Sequence, residues 1–208
     1  MAGLMDNILS FAESINPILT IITSVVRLVR RRLETREDNP EFIAIRDRQS
    51  TISREILDRM MQDEAREIYG PSEEYIRQQY LTLTEIMENI TNAENPQQFE
   101  DQQRRFLEAF NPDDMRDNLN VLYRGITGEQ VFGVPLLEAY YNQHRENRAA
   151  MEARLYGLAD LFHAGLMMLT THVAITGQDE DELRMRWNER AEEIQQRMRE
   201  ILARYDQN

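Results

Sequence analysis

The chain has 208 residues, enough for one sizeable core, and its formal net charge of -13 leaves no chain-wide basic surface for nucleic-acid phosphates. All 24 basic residues are arginine and cysteine is absent. Lysine Schiff bases, cysteine nucleophiles, disulfides and thiolate metal sites are therefore excluded.

The chain opens on MAGLMDNILSFAES, which lacks a basic leader and carries acids early. It is not a secretory signal, and the sequence by itself predicts a cytoplasmic protein. Leu4, Ile8, Phe11, Ile15, Ile18, Ile22, Val25 and Val29 then recur in steps of mostly three and four. That spacing predicts an apolar helix over 3–33. The stretch 15–29 is interrupted by Asn16, Pro17, Thr20, Thr23, Ser24 and Arg27, so it is a poor membrane span. The helix ends in Arg27, Arg30, Arg31 and Arg32. Two readings follow. It is a core or self-association helix whose terminal cations complement the dipole, or it lies in a membrane surface with arginines at the headgroups. Arginines and acids balance over 1–39, so the negative excess lies beyond that point.

Six prolines punctuate the chain, four of them after asparagine at Asn16, Asn39, Asn95 and Asn111. Asparagine is a favoured N-cap and proline suits the first helical position, so each proline, Pro71 and Pro135 included, is expected to open a helix. Ile76, Tyr80, Leu83, Met87 and Ile90 give one helical stripe, and Met115, Leu119, Leu122 and Ile126 a shorter one. A long helix is predicted over 146–176. Leu155, Leu158, Phe162, Leu166, Leu169 and Val173 line one side of it, and Leu161, Ala164, Met168 and Ile175 other sides. A helix apolar around most of its girth belongs at the centre of a bundle. Gly157 and Gly165 within it suggest close helix contact, and Gly177 a C-terminal stop. A last helix, 180–205, carries the seam Leu183, Trp187, Ala191, Ile194, Met198, Ile201 and Tyr205. Trp187 is expected in the core.

Chemistry-bearing patterns are weak. Asp160 and His163 stand three apart on the long helix, but no second acid-x-x-His pair completes a di-metal site, and a core histidine is the expected reading. The few serines have no nucleophile-elbow turn. Gly125, Gly128 and Gly133 are not followed by a phosphate-loop lysine. The many carboxylates read as a solvated face. No catalytic, cofactor or metal residue is assigned, and no small-molecule substrate is predicted.

Two stretches carry a family likeness: SFAESINPILTIITSVVRLV over 10–29, and 123–202 with its Tyr-x-x-Ile-x-Gly turn, VFGVPLLEAY, FHAGLMMLTTHVAITGQDEDEL and MRWNERAEEIQQRMREIL. The chain resembles the rapunzel proteins of fish and the related cephalotoxin-like proteins of invertebrates, and departs from them in lacking lysine and cysteine. The resemblance implies an all-helical, non-enzymatic protein with no family-wide catalytic residues. It also implies associations with skeletal and fin growth on one side, and with secreted material and venom on the other.

The combined expectation is an all-α, elongated multi-helix bundle around one long apolar central helix. It forms a single helical domain over 1–208, with an apolar N-terminal region (1–39), amphipathic helices (40–122) and family-like C-terminal helices (123–208). The expected function is that of a non-enzymatic structural or interaction protein, a homo-oligomer or larger assembly joined through long helical seams. The alternative is a membrane-active, pore-forming toxin-like protein using the N-terminal helix. The residues named for either contact are the eight apolar positions from Leu4 to Val29 and the four arginines.

Overall fold

The computed structural model describes residues 26–27, 29–31, 33, 65–129 and 133–207. Among these, all regular structure is helical: α1 (Arg66–Thr91), α2 (Pro96–Ala109), α3 (Pro112–Thr127), α4 (Leu136–Gln143), α5 (Arg148–Thr176) and α6 (Glu180–Ala203), closed by a 3-10 turn at Arg204–Asp206. Residues 26–33, where described, are helical as well.

Helix starts follow the capping chemistry in the sequence. The Asn95 side chain accepts from the Gln98 N–H at 2.9 Å, and the Asn111 side chain from Asp113 N at 3.0 Å and Asp114 N at 3.3 Å. Pro96 and Pro112 fill the first helical positions, where the missing N–H costs nothing. Asn147 and Asp179 cap α5 and α6 in the same way. Pro135 immediately precedes α4. Gly128 (φ 79°) and Gly177 (φ 67°) end α3 and α5 in the left-handed conformation that glycine adopts without steric cost.

Pro71 departs from the expectation. It lies inside α1, which starts five residues earlier at Arg66. The reason is a buried stripe that runs straight past it: Tyr69, Glu73, Ile76, Tyr80, Leu83, Met87 and Ile90. Burying that face offsets the roughly 3 kcal/mol that an interior proline costs. Pro17 and Pro40 lie outside the described residues.

The centre is α5. Leu155, Phe162, Leu166, Met168 and Leu169 are fully buried, and α1, α2, α3, α4 and α6 all pack on it. Gly165 lets α3 come close: a Cβ there would stand 2.7 Å from Leu119 Cδ2. Gly125 does the same for α1, since a Cβ would meet the Tyr69 ring at 2.4 Å. Tyr69 is held from its far end, its hydroxyl donating to the Val134 carbonyl at 2.9 Å. By length and composition α5 could cross a membrane, but 89% of its apolar window is covered by the rest of the bundle.

Helices α3 and α6 lie parallel. Arg190 donates to Asn120 Oδ1 at 2.6 Å and the Tyr123 hydroxyl donates to Glu193, both across a separation of 70 residues. Their N-termini thus share one end of the bundle. At the other end the C-terminal turn is clasped. Arg204 pairs with Glu138, Arg148 with Asp206, and Tyr205 donates to the His144 carbonyl at 2.8 Å while packing edge-on against Tyr141.

Candidate functional site

Of the residues named for self-association or membrane contact, Leu4, Ile8, Phe11, Ile15, Ile18, Ile22, Val25 and Arg32 lie outside the described residues. Val29 and its neighbour Val26 are buried in the core shared with α1 to α6. Arg27, Arg30 and Arg31 are exposed on the outer side. Arg27 forms an ion pair with Glu180, the first residue of α6. This segment is therefore amphipathic, with valines against the bundle and arginines toward solvent.

Of the histidines of α5, His172 is buried and His163 half-buried. Burial pushes His163 down to about 4. Asp160, one turn before it, is buried. Among the described residues no group of His, Asp and Glu is placed to hold a metal ion. His172 packs against Phe110 at 5.8 Å between ring centroids, and its Nδ1 is buried without a hydrogen-bond partner. Burial, then Arg116, lowers its pKa.

One feature that sequence reading missed is a cleft of about 680 Å³ between α3 and α6 toward their shared N-terminal end. Asp113, Arg116, Asp117 and Asn120 come from one face of α3. Glu182, Leu183, Arg186, Trp187 and Arg190 come from the facing side of α6. Val173 and Trp187, both 3% exposed, lie at its apolar floor. Each set repeats at helical spacing, which was legible, but the register that joins the two faces was not.

Much of the cleft's charge is neutralised internally. Arg116 pairs with Asp113 at 2.9 Å and Arg186 with Glu182 at 3.0 Å. Arg190 is different. Its guanidinium lies 4.6 Å from the Tyr123 ring and 5.1 Å from the Trp187 ring, and its bond to Asn120 is to a neutral amide. No carboxylate lies within ion-pair distance of it among the described residues. Burial, followed by Arg186 and Arg124 among nearby charges, lowers its pKa. An arginine remains charged regardless. Beside it, burial and the hydrogen bond to Glu193 raise the Tyr123 phenol to about 12, so this hydroxyl is a donor at any physiological pH.

The family model of the cephalotoxin-like middle helical domain matches residues 27–208. The chain belongs to this cephalotoxin-like family. It is also 28% identical over 200 residues to the protein rapunzel of Danio rerio, an alignment that covers 93% of this chain and 86% of that protein. No solved structure matches it. The family match begins at Arg27, within the described 26–33 segment and next to the buried Val26 and Val29.

Proposed function

We propose that this family member is a non-enzymatic helical interaction protein that self-associates through the apolar seam at its N-terminus. The observation that supports this is the burial of Val26 and Val29. These two valines face the bundle while Arg27, Arg30 and Arg31 face outward. The sequence continues the valine face back through Ile22, Ile18, Ile15, Phe11, Ile8 and Leu4. The stripes of α1, α3, α5 and α6 are already spent on one another. A second copy offers the added stripe a matching surface, as isologous helical contacts do. Light scattering behind size exclusion tests this. At high micromolar concentration the full chain elutes as a dimer or larger assembly; a strict monomer overturns the reading.

A second reading, membrane activity, is favoured by the outward arginines at 27, 30 and 31 opposite the apolar face. Removing all of 1–33 would also strip Val26 and Val29 from the core, so the informative truncation removes 1–25. Under this reading the truncated chain stays folded and loses binding to anionic vesicles. Unchanged binding by the truncated chain refutes it.

A further inference from the structure

We propose that the cleft between α3 and α6 binds a small zwitterion, with a phosphate or carboxylate at Arg190 and an ammonium group toward Asp117. The balance of charges points to this ligand. Four carboxylates and three guanidinium groups line the cleft. Two pairs, Arg116–Asp113 and Arg186–Glu182, satisfy each other. What remains around the Asn120–Arg190 contact is one cation, Arg190, and one anion, Asp117, a helical turn before Asn120; Asp179, at the start of α6, lies roughly 16 Å along that helix from Arg190.

Arg190 is poised for an anion. It is half-buried, it lies over the Tyr123 and Trp187 rings, and one of its N–H groups is used by Asn120. Its other N–H groups form a fork that suits a planar or tetrahedral oxyanion. The surrounding carboxylates set the other requirement. They repel a compact polyanion and favour a ligand that carries its own cation. An ammonium with N–H donors suits them better than a quaternary group, because carboxylates accept hydrogen bonds. A free zwitterion and an aminophospholipid headgroup share this chemistry. Binding does not depend on self-association, since every residue involved belongs to one chain.

Trp187, the chain's single tryptophan, forms part of the floor and reports occupancy directly. The full chain is titrated with phosphoethanolamine and with inorganic phosphate while Trp187 emission is followed. Phosphoethanolamine is expected to saturate with a dissociation constant of about 1 mM or tighter, and inorganic phosphate to bind at least about tenfold more weakly. Arg190→Gln abolishes the response and Arg190→Lys weakens it, because the fork is lost while the charge stays. Asp117 is exposed, so Asp117→Asn keeps the fold; it weakens phosphoethanolamine and leaves phosphate unchanged or tighter. If Arg190→Gln melts early, Arg190→Lys and Asp117→Asn decide the matter. Vesicles containing phosphatidylethanolamine distinguish the sources: saturation by vesicles but not by the free compound assigns a lipid headgroup, and the reverse a soluble ligand. No saturable change with any of these probes overturns the proposal, as does unaltered binding in the variants. Tighter binding of phosphate than of phosphoethanolamine overturns the zwitterion assignment.

Discussion

At the scale of single residues, the tightest constraint is Gly125. Alanine is normally the better helix former by about 1 kcal/mol, so Gly125→Ala in an ordinary helix would stabilise. Here the added methyl meets the Tyr69 ring at 2.4 and 2.8 Å. The ring is fully buried and tied down by its bond to Val134, so it cannot swing away. Overpacking of this kind costs about 1–3 kcal/mol, which exceeds the propensity gain. Gly125→Ala is therefore expected to lower stability in urea unfolding by up to about 2 kcal/mol net. Gly128→Ala gives a useful contrast: no atom lies within 4 Å, and its cost comes from the left-handed φ alone. Equal or greater stability of Gly125→Ala would mean that α1 and α3 are not in the contact described.

At the scale of helices, the sequence was legible where one residue answers one physical need. Asparagine before proline marked the starts of α2 and α3, Gly177 marked the end of α5, and the apolar stripes named the buried faces of α1, α3, α5 and α6. Trp187, expected in the core, packs on Phe162 with centroids 5.8 Å apart. Legibility failed where two needs compete or where distant segments meet. At Pro71 the breaker signal lost to a stripe that buries Tyr69 and Ile76 on either side. The cleft was invisible because the charged faces of α3 and α6 each read as solvated surface. Only their parallel register, set by Asn120–Arg190 and Tyr123–Glu193, turns two faces into one site. The Asn111 cap tests how much such local signals contribute. It serves two N–H groups of α3 and orients the helix that carries Asp113, Arg116 and Asp117. Asn111→Ala is expected to cost about 1 kcal/mol in thermal or urea unfolding. A loss below a few tenths would show that Pro112 and the packing of Met115 fix the start of α3 without the cap.

At the scale of the whole molecule, the two histidines of α5, His172 buried and His163 half-buried, tie stability to pH. Burial holds His163 at about 4 in the folded chain, while an unfolded histidine titrates near ~6.5. His172 is lowered in the same direction. The unfolded state therefore takes up protons first as pH falls. The histidine contribution is fully present above about 6.5 and is lost progressively as pH drops from there through about 4. The slope has a ceiling of about 1.4 kcal/mol per pH unit for each fully mismatched proton. Carboxylates complicate the lower part of that window, since the chain's 37 acids also begin to protonate there and relieve its negative charge. Unperturbed carboxylates titrate near ~4, so the interval from about 6.5 to 5 isolates the histidines. Unfolding free energy measured over that interval should fall with decreasing pH, and His163→Gln should flatten the slope even if it changes absolute stability. A slope identical in the variant would locate the titration elsewhere, with His172 as the next residue to replace. The outcome bears on function as well. If a mildly acid pH loosens the central helix, the α3–α6 cleft, built on Val173 of that helix and on α6, should lose phosphoethanolamine affinity over the same interval.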